Sequence, residues 1–268
     1  MTELITMHTH STFCNHAKDP LGDMVQAAVD AGIAHMAATE HYPIPDELDP
    51  SKRSTMPAER LEAYIDAVRE QQKRDDIDVL LGCELDWLGK DETRVLHASD
   101  FDRFDVVLGS IHFVDRWLMV SHKNMSRWKS VDLEAFWNRY VELWCEAAKS
   151  DMPFTVMAHA DVVKKFSPKP EFDLEPLYER MARAAREGGR MVEVNTSGAY
   201  AECAEYYPSL SLLQAFRAEG VACTVGTDAH CKEHIARDIE RAYDYMRAAG
   251  YTQLAVPTRR RGVRMVDL

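Results

Sequence analysis

Seven short apolar runs in this chain each end in metal-ligating or polar residues: MHTH at 7–10, ATEH at 38–41, GCELD at 82–86, GSIH at 109–112, MAHAD at 157–161, EVNTSG at 193–198 and GTDAH at 226–230. Side chains alternate along a strand, so His8 and His10, or Asp228 and His230, two apart at a strand end, point the same way and can grip one ion together. Imidazoles with a few carboxylates suit zinc, iron or manganese. A cluster that no single motif completes points to a multi-metal hydrolytic site.

Helical patterns separate most of these runs. Asp19-Pro20 offers an N-cap and first-turn proline, and Leu21, Met24, Val25, Ala28 and Val29 form one apolar face that stops at Gly32. Leu61, Tyr64, Ile65 and Val68 follow the same spacing after Pro57. Leu133, Phe136, Trp137, Tyr140, Val141 and Trp144 predict a strong helix, with Trp137, Tyr140 and Trp144 in the core. Further helices are expected from Pro176 to about Arg186, around Leu210, Leu213 and Phe216, and from about His234 to Ala249. The polar stretch 89–104 has room only for a short helix.

Strand and helix alternating on this scale predict parallel strands joined by right-handed crossovers. Seven strands with their polar residues at the C-terminal end fit an α/β fold closed, or nearly closed, into a barrel with its site at that face. An open doubly wound sheet is the alternative, but its site would concentrate at one switch point. At 268 residues with 46% hydrophobic composition, one domain spanning 1–268 is expected.

A net charge of −12 argues against an extended nucleic-acid footprint and favours a small substrate. Six scattered cysteines without a CxxC pair read as reduced thiols, those beside the ligand motifs as small buried side chains. Neither a signal-peptide pattern nor a run of roughly 20 apolar residues is present, so a cytoplasmic protein without membrane association is expected. Oligomeric state is not readable from these features.

In this order, HTHSTFCNHA at 8–17, TEH at 39–41, GCELDW at 82–87, GSIHF at 109–113, AHAD at 158–161, NTSG at 195–198 and GTDAH at 226–230 resemble the PHP (polymerase and histidinol phosphatase) superfamily, and its histidinol-phosphatase branch in particular. The resemblance implies a distorted seven-stranded (β/α) barrel holding three divalent ions, zinc, iron or manganese. It implies one ion on His8, His10, Glu84 and Asp228, a second on Glu84, His112 and His159, and a third on His16, His41 and His230. Glu84, Asp228 and His230 are the catalytic members of that set. The implied activity is metal-dependent hydrolysis of a phosphomonoester, L-histidinol phosphate giving L-histidinol and phosphate in histidine biosynthesis, by attack of a metal-bridging hydroxide. Another small phosphate ester or nucleotide is the alternative substrate, and a non-catalytic metal-binding module the reading from a different class. The sequence departs from the branch after NTSG, where basic residues commonly follow and this chain has Ala199-Tyr200-Ala201-Glu202.

For the substrate, Lys164, Lys165, Arg127 and Arg53 are candidates to hold phosphate oxygens. Asp161, Asp86 and Glu40 are candidates to meet an ammonium or imidazole. His35, His97, His122 and His234 lie outside the motifs and read as packed or surface residues, with His122 and His234 retained as minor candidates. Arg259, Arg260 and Arg261 read as a solvated turn, with contact to an anion or a partner as the second reading.

Overall fold

The computed structural model describes residues 2–44, 46–48, 54–90 and 98–268; Arg53 and His97 lie outside them. Seven strands form one all-parallel sheet: β1 (Leu4–Thr6), β2 (Ile33–Ala38), β3 (Asp78–Asp86), β4 (Val106–Ser110), then, after the short hairpin β5 (Phe113–Val114) and β6 (Trp117–Leu118), β7 (Val156–Met157), β8 (Met191–Asn195) and β9 (Cys223–Gly226). Past the ends of the first and last strands the chain closes the ring. The Met7 N–H donates to the Val225 carbonyl at 2.8 Å and the Asp228 N–H to that of His8 at 2.8 Å, beside a parallel bridge between Thr9 and Ala229. The sheet is therefore the nearly closed seven-stranded barrel expected from the alternation, not an open doubly wound sheet.

Helices α1 (Leu21–Asp30), α2 (Leu61–Gln71), α3 (Leu133–Lys149), α4 (Glu175–Gly188), α5 (Leu210–Ala218) and α6 (Ile239–Ala248) bury most of the stripes that their periodicity marks, with Leu210 at the start of α5 exposed and Val29, Leu61, Leu133 and Phe136 partly buried. On α3, Trp137, Tyr140, Val141 and Trp144 are buried, and the Tyr140 hydroxyl donates to the Ala160 carbonyl at 2.9 Å, tying the helix to the MAHAD segment.

Three elements differ from the sequence expectation. The last helix begins at Ile239, not near His234, because Asp238 at φ +61° breaks it from the 3-10 turn Lys232–His234. β7 keeps only two residues of the TVMAHAD run: the His159 N–H is captured by the buried Glu193 carboxylate at 2.9 Å, and His159 turns the chain at φ +24°. The C-terminal residues form an antiparallel hairpin of β10 (Gln253–Thr258) and β11 (Gly262–Asp267). Its tip is the basic run, where Arg259 and Arg260 are exposed, as expected of a solvated turn, and are also tied to the barrel. The Arg260 N–H donates to Asp105 at 2.8 Å, the Arg261 guanidinium to the carbonyls of Phe101 and Phe104, and Arg259 to that of Gln72. Those contacts lie at the N-terminal ends of β3 and β4, on the rim opposite the ligand motifs.

Candidate metal centre

All seven motif histidines and both carboxylates converge at the C-terminal ends of the barrel strands. Glu84, near the end of β3 and 1% exposed, stands at the middle. Its Oε2 faces His41 Nδ1 at 2.9 Å and the Nε2 atoms of His8 and His10, both at 3.3 Å. Its Oε1 faces His159 Nε2 at 2.8 Å and His112 Nε2 at 3.4 Å, and accepts from the Ser110 hydroxyl at 2.5 Å. One carboxylate thus turns a separate oxygen to each of two imidazole sets. Asp228 Oδ1 lies 3.3 Å from His10 Nε2 and 3.7 Å from His8 Nε2. On the outer side, the Nε2 atoms of His230 and His16 approach to 2.9 Å, with His41 in the same cluster.

The donor set fits divalent cations. Potential ligand atoms of His8, His10 and Asp228 lie within 4.8 Å of one another, as do those of His16, His41 and His230, and those of His8, Glu84 and His159. Imidazole nitrogens face each other at 3.1 Å (His8 and His10) and 3.2 Å (His112 and His159), and Glu84 Oε2 is buried without a well-aligned hydrogen bond. Such a cluster, costly when bare, is satisfied when cations sit between the donors. The electrostatics agree. Burial disfavours a charged His8, yet Glu193, Glu84 and Asp228 outweigh it and push its imidazole up to about 10. The surrounding histidines also hold Glu84 and Asp228 well below the usual carboxylate range, despite burial.

A supporting layer orients the ligands. Glu193, fully buried in the middle of β8, meets His8 Nδ1 at 2.9 Å and accepts from the His159 N–H and, at 2.8 Å, from the Asn195 amide. Asp86 meets His112 Nδ1 at 2.9 Å. Gly226 is required here, since a Cβ would collide with Glu193 and His8. Glu193 and Asn195 belong to the EVNTSG run, which by itself assigns neither a partner. The signal is their two-residue spacing, which points both inward like His8 and His10.

The substrate candidates fare differently from the ligands. A cleft of about 410 Å³ is bounded by His16, His41, Glu84, Asp86, His112, His159, Asp228 and His230, with Phe113, Leu118, Val120, Ser54, Ser121 and Lys165 around them. Lys165 reaches it. Lys164 does not: its buried ammonium is held by Asp161 at 3.0 Å, Glu205 at 3.1 Å and the Tyr206 carbonyl at 2.8 Å. Asp161 is correspondingly engaged with Lys164 and, at 2.8 Å, with the Ser209 N–H, so it is an internal brace and not a cleft residue. Arg127 is exposed and stacks on Trp117, its guanidinium carbon 4.4 Å from the ring centre, outside the cleft lining. Glu40 is buried and accepts from the Ser11 N–H at 2.7 Å, bracing the first motif. His122 packs on Phe166, and His234 lies outside the cleft lining.

A barrel whose strand ends gather seven imidazoles and two carboxylates defines the class, a scaffold for a polynuclear metal centre. The particular family follows from comparison with known proteins. The PHP domain is matched over residues 6–197, and the chain belongs to the PHP domain family. A probable histidinol-phosphatase of Deinococcus radiodurans is 31% identical over 233 residues, covering 86% of this chain and 87% of that protein. A second, from Schizosaccharomyces pombe, is 24% identical and covers 94% and 89% respectively. The crystal structure of a histidinol phosphate phosphatase from Lactococcus lactis, complexed with zinc, L-histidinol and phosphate, superposes with a TM-score of 0.81 at 19% identity, over 98% of this chain and 99% of that one. That likeness establishes the shared barrel.

Proposed function

We propose that this protein is a metal-dependent phosphomonoesterase that hydrolyses L-histidinol phosphate to L-histidinol and phosphate, and that residues 1–268 work as one PHP-type unit. The observation that carries the reading is Glu84, whose two buried oxygens face two different imidazole sets at the floor of an open cleft. Three divalent ions are the proposed load, zinc among them, on His8, His10, Glu84 and Asp228, on Glu84, His112 and His159, and on His16, His41 and His230. When bound, such ions supply Lewis acidity toward phosphoryl oxygens and acidify water, so that a nucleophile exists at neutral pH.

The chain's own residues do the remaining work. Glu84, Asp228 and His230 fix the ligand geometry at the reacting face, and Ser110 and Glu193 keep Glu84 and His8 from rotating. Lys165 is a cation placed to meet a phosphate oxygen: it lines the cleft, and its Nζ lies 5.5 Å from the centre of the Phe166 ring. Phe113, Leu118 and Val120 give the cleft an apolar wall on which the carbon frame and imidazole of histidinol can rest. No helix among the described residues is long and apolar enough to cross a membrane, and the six cysteines are free thiols, which supports a reducing, cytoplasmic setting.

A second reading, a phosphatase of another small ester, draws on the segment after NTSG. There the 55% exposed Tyr200 stands where the branch commonly offers basic side chains. Release of inorganic phosphate from L-histidinol phosphate, sugar phosphates and nucleotides, measured with zinc, iron and manganese in turn, separates the two. The highest kcat/KM belongs to histidinol phosphate if the first reading holds. A many-fold preference for another ester overturns the substrate, and no release from any ester overturns the phosphatase.

A further inference from the structure

Asp228 divides its two carboxylate oxygens between different kinds of neighbour. Oδ1 stands among the ligand imidazoles, 3.3 Å from His10 Nε2 and 3.5 Å from His230 Nδ1. Oδ2 is met by neutral donors, the Ser197 hydroxyl at 3.2 Å and the Asn195 amide nitrogen at 3.5 Å. Ser197 belongs to the NTSG run, and nothing in the ligand set accounts for it.

The backbone explains why Asp228 needs such a grip. It sits in the left-handed region at φ +52°, and its N–H is spent on the His8 carbonyl at 2.8 Å. An Asp carboxyl turns about its last bond in a broad, roughly two-fold well, so the residue itself does not decide which oxygen faces the ions. Ser197 is delivered to it by the 3-10 turn Thr196–Tyr200, which the Asn195 side chain caps by accepting from the Ser197 N–H at 3.0 Å. The Thr196 hydroxyl fastens this turn to the Arg237 carbonyl at 2.9 Å, and a Cβ at Gly198 would strike the Glu205 carbonyl. The Ser197 hydroxyl has one proton for two acceptors, Asn195 Oδ1 at 2.6 Å and Asp228 Oδ2. Since the N–H already satisfies the first, the second is where the hydroxyl adds something.

We infer that Ser197 is a positioning residue for Asp228: with the Asn195 amide, its hydroxyl holds Oδ2 so that Oδ1 is the oxygen given to the ions. This rests on the metal-centre reading above and deepens it. Both donors are neutral, so Asp228 keeps its negative charge for a cation, in contrast to Asp161, whose charge Lys164 already meets. Hydrogen bonds of this kind to a ligating group are worth about ten- to a hundredfold in metal affinity or activity.

The test is zinc competition against a chromophoric chelator on the purified full chain, beside phosphate release from L-histidinol phosphate and melting of the metal-free protein. Ser197→Ala holds one zinc ion about tenfold more weakly and loses kcat by a similar factor, while KM stays within about twofold. Ser197→Thr, which keeps the hydroxyl, stays within about threefold of the wild type, and Ser197→Val, of the same shape without it, matches Ser197→Ala. The metal-free midpoint moves by less than about 2 °C, whereas a merely structural role would lower it and leave zinc affinity alone. Wild-type zinc affinity in Ser197→Ala and Ser197→Val overturns the assignment, as does a Ser197→Thr variant as weak as Ser197→Val. The comparison of Thr with Val carries that refutation even if Ser197→Ala fails to fold. A wild type that holds zinc but releases no phosphate overturns the phosphatase reading, and zinc competition alone then decides this assignment. A chain that retains no divalent ion overturns the metal-centre reading itself, and the assignment falls with it.

Discussion

Glu84 and Lys164 are both charged, nearly buried and close to the end of a barrel strand, yet their surroundings give them opposite work. Glu84 is ringed by imidazoles at 2.8–3.4 Å, with Ser110 as its hydroxyl donor, an environment that calls for cations. Lys164 is already neutralised: two carboxylates and a carbonyl hold its ammonium within 3.1 Å. A buried charge with complete partners is architecture, and one whose partners are all ligands is a binding site.

The largest effect expected from breaking this contrast is on catalysis. Glu84→Gln keeps the shape but replaces one anionic oxygen with an amide nitrogen, so one imidazole set loses its acidic partner. Turnover should fall by at least about four decades, roughly 5 kcal/mol of transition-state stabilisation. Circular dichroism should stay native when metals are supplied. Near-wild-type phosphate release from this variant would remove Glu84 from the centre of the mechanism.

Lys164→Met tests the other half. Removing the ammonium leaves Asp161, fully buried, without its cation, a loss of about 3–5 kcal/mol in stability. At roughly 2–4 °C per kcal/mol for a chain of this size, the thermal midpoint should drop by about 10 °C. The KM of the remaining folded enzyme should stay within about twofold. A raised KM with an unchanged midpoint would move Lys164 into the cleft.

The same contrast explains what could be read in advance. His8, His10, Glu84 and Asp228 sit at or just past strand ends, where a two-residue period fixes direction, so their convergence follows from pattern. Lys164 and Lys165 occupy a short 3-10 turn, where adjacent side chains diverge and spacing says nothing of which faces the cleft. Glu193 was equally legible by period, but its partners, His8 and the His159 N–H, are 185 and 34 residues away, and only the closed barrel brings them to it. The C-terminal hairpin was illegible for a related reason. Arg259, Arg260 and Arg261 read as a solvated turn and two of them are exposed, but nothing local shows that Asp105 and the carbonyls of Gln72, Phe101 and Phe104 lie beneath them.

The smallest effect, and the one that sharpens the comparison most, belongs to Lys165. It shares a turn and a charge with Lys164 but lines the cleft. A charge-assisted hydrogen bond to phosphate contributes about 1.5–3 kcal/mol when well formed, and partial solvation of an open cleft places the expected loss near the lower end. Lys165→Ala should therefore raise KM for histidinol phosphate about tenfold while kcat changes less than about threefold, the pattern of a group that binds ground and transition states alike. Inhibition by inorganic phosphate should weaken by a similar factor, and added salt should narrow the gap between variant and wild type, since the lost contact is electrostatic and solvent-facing. If KM and phosphate inhibition are both unmoved, the metal centre alone holds the phosphoryl group, and the two adjacent lysines do not differ in function after all.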